Sequence, residues 1–274
     1  MNRERRILAK DKVDPIWSAL REQAEQLAES ERELASFAHA TILKHERLEQ
    51  ALSYHLAKKI GGEDLSSMQV REIFEEALTS DPAIGEAVRA DLSAVFQRDP
   101  ACHSYAQAFL FFKGFHALES YRVAHYLWTH GRKTMALFIQ NRMSDQFAVD
   151  IHPAAKLGRG IMIDHATGVV IGETAVVGDD VSMLHGVTLG GTGKQDEDRH
   201  PKVGRGVLLS TGAKVLGNIQ IGEYSRVGAG SVVLKPVPPH TTVAGVPARV
   251  IGKAGSARPS QDMDHKLPET DFEI

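Results

Sequence analysis

Two periodicities divide the chain. Up to about residue 147, apolar residues recur every three or four positions. Examples are Leu52, Leu56 and Ile60 in "ALSYHLAKKI", Val70, Ile73, Phe74 and Ala77 in "VREIFEEAL", and Leu118, Tyr121, Ala124 and Trp128 in "HALESYRVAHYLW". That spacing gathers apolar side chains on one face of a helix. Turn signals at Gly61-Gly62, Asp81-Pro82 and Asp99-Pro100 separate the segments, so the pattern predicts a bundle of about five to eight helices.

From residue 149 the period becomes six. Ile151, Leu157 and Ile163, then Ile171, Val177, Met183 and Leu189, then Val203, Leu209, Val215, Ile221, Val227 and Val233 fill all thirteen positions with Ile, Leu, Val or Met. Glycine directly follows seven of them: Gly158, Gly172, Gly178, Gly190, Gly204, Gly222 and Gly228. A helix cannot keep a six-residue repeat on one face, because its period is about 3.6. A strand-and-turn unit can: three hexads of about eighteen residues close one coil of a triangular prism, with aliphatic residues stacked inside and glycine at the corners. The fold class predicted is therefore α + β, with residues 1–147 helical and 148–253 a parallel β-helix. The prolines of "KPVPPHTTV" are expected to end the regular coils, and the polar stretch 254–274 to form a disordered tail.

The register slips twice. Two extra residues enter between Ile163 and Ile171, and eight between Leu189 and Val203. A solenoid accommodates insertions as surface loops, where binding and catalytic groups concentrate. His165 falls in the first loop and His200 in the second.

Composition narrows the function. The net charge of −3 gives no basic stripe for nucleic acid, and no apolar run reaches the ~18 residues of a membrane span. The opening "MNRERRILAKDKVD" is basic without the apolar stretch of a signal peptide. Cys102 is the single cysteine, so no intrachain disulfide forms, and the cytoplasm is the expected location.

Four histidines, His152, His165, His185 and His200, precede the closing segment of the solenoid half. Three readings compete for them. They cap turns, or they converge on zinc across subunits, or one serves as a general base. Their spacings of 13, 20 and 15 residues fit no compact zinc set. For the third reading, Asp150 precedes His165 by fifteen residues, near one coil, so a carboxylate would stand behind the imidazole and fix its tautomer. Imidazole titrates near neutral pH, which suits a base. Arg199 in "QDEDRHPK" has the two-pronged geometry that holds a small carboxylate. "GGTGK" (190–194) lacks the spacing of a phosphate-binding P-loop. Backbone lying close to a long thin cofactor suits it better.

Together, the helical first half, "FKGFHALESYR", "VDIHPAAKLGRGIMIDHATG", "VTLGGTGK", "DRHPK" and "VPPHTTVAGVPARVIG" resemble the serine O-acetyltransferases, over nearly the whole chain. The resemblance implies a left-handed β-helix that transfers acetyl from acetyl-CoA to L-serine, with no metal and no acyl-enzyme. Carried over by motif, His165 is the general base and Asp150 its orienting carboxylate. Asp99 and Asp164 hold the serine amino group, and Arg199 and His200 engage its carboxylate. Gly191, Thr211, Ala229 and Lys235 are the candidate contacts with CoA. The resemblance further implies trimers with sites between neighbouring prisms, paired into hexamers through the helical half. It also implies inhibition by L-cysteine, and binding of O-acetylserine sulfhydrylase through the terminal Ile274. Three alternatives stay open: a hexapeptide acyltransferase with a sugar, homoserine or amine acceptor, a β-helical zinc carbonic anhydrase, and a non-catalytic scaffold.

Overall fold

The computed structural model describes residues 14–193 and 196–267. Among these, eight α-helices precede the solenoid: α1 (Pro15–Ser30), α2 (Ala35–Ala38), α3 (Leu48–Ile60), α4 (Ser67–Ser80), α5 (Pro82–Arg98), α6 (Tyr105–Phe111), α7 (Lys113–Thr129) and α8 (Lys133–Phe147). The turn signals mark real boundaries. Gly61 ends α3; Asp81 caps α5 by accepting from the Ala83 N–H at 3.0 Å, with Pro82 in the first turn, where no N–H is needed.

Fifteen strands follow among the described residues, the first thirteen one for each sequence hexad. The first face stacks β1 (Val149–Ile151), β4 (Val169–Ile171), β7 (Thr188–Gly190), β10 (Lys214–Leu216) and β13 (Val232–Val233). The second stacks β2 (Lys156–Leu157), β5 (Val176–Val177), β8 (Lys202–Val203) and β11 (Gln220–Ile221). The third stacks β3 (Met162–Asp164), β6 (Ser182–Leu184), β9 (Leu208–Leu209) and β12 (Arg226–Val227), then β14 (Thr241–Gly245), with β15 (Ala248–Lys253) antiparallel at the edge. The inter-coil pairings from β1 to β14 are parallel, and every hexad aliphatic except half-buried Leu157 is buried in the shaft.

Two expectations need correction. The coils do not stop at the prolines: Val237 bridges Ile221 and Val243 pairs with Val227, completing a further turn. Pro236, Pro238 and Pro239 flank Val237, whose own N–H still reaches the Gln220 carbonyl at 2.8 Å, so the prolines occupy corners that donate nothing. Nor is the part of the tail described, 254–267, free of structure. It folds back over the third face, forms the short α9 (Pro259–Asp262), and buries Ala254, Pro259 and Ser260. Polar groups anchor it: Ser182 donates to the Ser260 carbonyl at 2.7 Å, and Arg226 to that of Asp264 at 2.9 Å. The terminal Ile274 lies outside the described residues.

One hydrophobic core runs unbroken from Phe115, Tyr121 and Phe147 into Val149, Ala155 and Ile161. A buried polar cluster pins the two halves together. Arg122 of α7 donates through Nε to Asp91 of α5 at 2.8 Å and through Nη2 to both Asp91 and the Gly158 carbonyl, the latter at 2.9 Å. The other Asp91 oxygen accepts from the Ile161 N–H at 2.7 Å. Glu119 completes the cluster. Its burial and the neighbouring Asp91 charge push its carboxyl well above the usual carboxylate range, so it is the neutral member.

Deep in the bundle, His55 and His116 face each other with ring centroids 5.0 Å apart, each Nε2 against a carbonyl, Leu110 and Phe109 respectively. Burial, with the Lys59 charge nearby, holds His55 down at about 3; burial holds His116 well below its ordinary value. Both are neutral in the fold and protonate readily once unfolded. Their contribution is therefore complete above about pH 6.5 and lost as pH falls from there towards 3. Thermal unfolding from pH 7 to 4.5 should show a steady decline in Tm. A flat profile would contradict this account of the pair.

Candidate active site

The site forms where the third face turns into the first. Residues 164–168 make a tight corner in which His165 and Ala166 both take left-handed backbone conformations, φ 54° and 61°. Such conformations are costly for residues with a side chain and persist only when the surroundings impose them. Here the Ala166 N–H bonds the Asp164 carbonyl at 2.6 Å, Thr167 N–H that of His165 at 2.7 Å, and Gly168 N–H that of Ala148 at 2.7 Å. Lys113, at the start of α7, donates to the Thr167 hydroxyl. Next to it, Gly114 lies so close to the corner that a Cβ would stand 1.9 Å from the Ile163 carbonyl oxygen. The two-residue insertion thus lifts His165 out of the aliphatic column, and helix α7 braces it there.

His165 is left open: its side chain is 74% exposed, with Asp164 Oδ2 3.7 Å from Nε2. The His185 ring stands edge-on above it, centroids 5.8 Å apart. A cleft of about 400 Å³ runs between helices and solenoid, lined by Asp99, Asp164 and His165 beside Lys113, Phe112 and Met162. Three predicted residues therefore meet at one place, with Asp99 supplied by the end of α5. Thr211 and Ala229 stack on the same corner one and two coils beyond His185, through the Gly212 N–H to the His185 carbonyl and the Gly230 N–H to the Thr211 carbonyl.

Asp150 does not bond His165 within the chain. The coil here is twenty residues long, so Asp150 stacks on Val170, and its carboxylate accepts from Gln140 Nε2 at 2.6 Å. A spacing of fifteen falls short even of a turn of about eighteen residues, and the two inserted residues lengthen this turn to twenty.

Arg199 and His200 lie at the other end of the first face, where it turns into the second. Arg199 is bound to Glu173 at 2.7 Å, which depresses the Glu173 carboxyl. His200 is buried beneath the corner, its Nδ1 accepting from the Thr174 N–H at 3.2 Å and 2.9 Å from the Thr174 hydroxyl, and burial lowers its pKa. A Cβ on Gly172 would stand 2.0 Å from His200 Nε2, so glycine alone makes room for that ring. Gly191 packs near Arg199, and Lys235 follows β13 at the same edge. The candidates thus form two groups on the two edges of one face. His152 sits against Trp128, centroids 5.1 Å apart, so the four histidines do not gather within one chain.

Comparison with known proteins decides the family. A serine acetyltransferase N-terminal profile matches residues 16–120, and a bacterial transferase hexapeptide profile matches 200–235. A serine acetyltransferase of Salmonella typhimurium is 55% identical over 93% of this chain and 93% of its own. This chain belongs to the serine acetyltransferase family. The crystal structure of the Vibrio cholerae serine acetyltransferase superposes with a TM-score of 0.91 at 56% identity, covering 92% of this chain and 98% of that one. Other solved serine acetyltransferases carry ligands. One, 53% identical with a TM-score of 0.91 over 92% of this chain and 98% of its own, is a complex with cysteine. The Brucella abortus enzyme, 51% identical with a TM-score of 0.87 over 89% and 97%, is in complex with coenzyme A. The soybean enzyme, 53% identical with a TM-score of 0.85 over 86% and 97%, is complexed with serine. The family assignment makes this chain a transferase. Sequence reasoning missed Lys113, Gly114 and Glu173 at the site. "FKGFHAL" contains the first two, but nothing in the string says that α7 touches the corner.

Proposed function

We propose that this chain transfers the acetyl group of acetyl-CoA to the hydroxyl of L-serine, giving O-acetyl-L-serine and CoA as the first step of cysteine biosynthesis. The observation that carries the reading is one exposed imidazole, His165, held in a strained corner at a cleft with two carboxylates. His165 takes the hydroxyl proton as the serine oxygen attacks the thioester carbonyl, then returns it to the departing CoA sulfur. Asp99 and Asp164 suit the ammonium group. Asp150 orients the base, and Gln140 holds one of its two carboxylate oxygens. A different acceptor, a sugar or homoserine, is the alternative within the same chemistry.

The two-edged distribution supports a site shared between copies. Arg199, His200, Gly191 and Lys235 on one edge would face His165, Asp164, Thr211 and Ala229 on the opposite edge of a neighbour. A head-to-tail contact of this kind closes into a ring, here a trimer, with hexamers formed through the helical half. Serine's carboxylate would take Arg199 from Glu173, and CoA would lie along the shared edges. L-cysteine, with sulfur in place of the serine oxygen, fits the same contacts as an inhibitor. Partnership with O-acetylserine sulfhydrylase through Ile274, and a cytoplasmic location, complete the proposal on the resemblance alone.

Subunit mixing tests the shared site. His165→Ala and Arg199→Ala chains, each inactive alone, should regain about a quarter of parental activity when assembled together at random. That is one half times one half of the head-to-tail contacts. Mixed assemblies no more active than the separate variants would contradict it.

A further inference from the structure

Where segment 254–267 crosses the solenoid, two guanidinium groups and an unpartnered buried hydroxyl line one small cavity. We propose that the corner between the second and third faces binds a small tetrahedral oxyanion, phosphate or sulfate, held by Arg205, Arg258 and Ser260. A cavity of about 170 Å³ opens there, lined by Asp180, Arg205, Tyr224, Arg258, Ser260 and Gln261. Gly206 makes the wall possible: a Cβ there would stand 2.4 Å from the Tyr224 ring.

Two guanidinium groups share the Asp180 carboxylate. Arg205 donates to Asp180 Oδ2 at 3.1 and 2.9 Å, and Arg98 Nη2 stands 3.6 Å from Asp180 Oδ1. The Arg258 guanidinium reaches only the neutral Gln261 side chain among the described residues, at 3.3 Å. Asp179 beside Arg205 and Asp91 beside Arg98 add negative charge, which leaves Arg258 as the guanidinium at the cavity with no carboxylate in hydrogen-bond contact among the described residues. One donor at the cavity is buried without a partner, the Ser260 hydroxyl, on a residue 1% exposed; Arg98 Nε, which does not line the cavity, is a second such donor nearby. Both groups belong to one chain of contacts, since Arg98 Nη1 donates to Ser182 Oγ at 3.1 Å and Ser182 Oγ to the Ser260 carbonyl at 2.7 Å. Buried donors are almost always satisfied, and what the Ser260 hydroxyl lacks is an acceptor. Paired guanidinium groups and a hydroxyl match a tetrahedral oxyanion, which arginine binds in two-pronged fashion. The volume falls below the ~300–1,000 Å³ of pockets for larger ligands, which favours a small anion. The site lies on a different corner from His165 and does not depend on the acetyl-transfer reading.

Thermal unfolding of the full chain tests it, with inorganic phosphate titrated against chloride at matched ionic strength. Phosphate at about ten times its dissociation constant should raise Tm by roughly 3 °C, and sulfate should act likewise. Arg205→Gln with Arg258→Gln should abolish the shift. Ser260→Ala, which removes only the orphan hydroxyl, should weaken binding about fivefold, so the site remains testable if the double variant folds poorly. Adenosine monophosphate identifies the source: a smaller shift than phosphate assigns the site to free oxyanions, an equal one to phosphate esters, and either keeps the site. Equal Tm in phosphate and chloride, or a shift that survives in the double variant, would overturn it.

Discussion

Replacing His165 with alanine should lower turnover by roughly 10²–10⁴-fold, the usual contribution of a positioned general base. A serine hydroxyl is a weak nucleophile until its proton is taken; the described residues that line the cleft offer no second imidazole, and His185, edge-on to His165, is not among them. Asp99 and Asp164 line the cleft as carboxylates, which the proposal assigns to the amino group, and Lys113 is committed to Thr167. The fold should not suffer, because the side chain is 74% exposed and the corner is held by backbone bonds. Steady-state rates with acetyl-CoA and serine, beside an unchanged Tm, check both halves of the claim. A variant within tenfold of the parent would remove His165 from the chemistry and favour a scaffold whose activity lies elsewhere.

The second large effect concerns stability. Arg122→Met should cost about 3–5 kcal/mol, the penalty for leaving a buried carboxylate without its partner. Asp91 is fully buried and would retain the Ile161 N–H and the neutral Glu119 carboxyl, but no hydrogen-bonded cation among the described residues. Glu119→Gln makes the contrast, since Glu119 is already neutral in the fold. Exchanging its carboxyl for an amide of nearly equal volume should therefore change little. Denaturant unfolding of the two variants separates them, and equal losses from both would contradict the charge assignment. The cluster joins α5 and α7 to the first solenoid coil just before the Asp164–His165 corner. Loosening it should therefore be felt at the site as well as in the fold.

The solenoid was legible because its constraint is local and repeated. Each interior position from Ile151 to Val233 must be aliphatic to fill the shaft, and each hexad became one strand. The helical half was legible for the same reason, down to the breaks at Gly61 and Asp81. What escaped depends on contacts between distant residues. Asp150 looked one coil from His165 by counting, yet the insertion lengthens that coil and puts Val170 over it. Segment 254–267 reads as polar and proline-bearing, but its polar groups find buried partners on the third face, in Ser182 and Arg226. The charges of Asp91, Glu119 and Arg122 look like ordinary helix-surface residues until the solenoid covers them. In the candidate site, motif resemblance identified Asp99, Asp164 and His165, and the cleft brings these together. The same resemblance named Arg199 and His200, which one chain leaves at the far edge of the face.

The most direct test is acetyl-CoA-dependent release of free thiol by the full-length protein, with L-serine compared against L-homoserine, a galactoside and no acceptor. The account predicts release with L-serine alone, suppressed by L-cysteine when CoA itself is followed chromatographically. Release that is indifferent to serine, or that appears only with another acceptor, would contradict it.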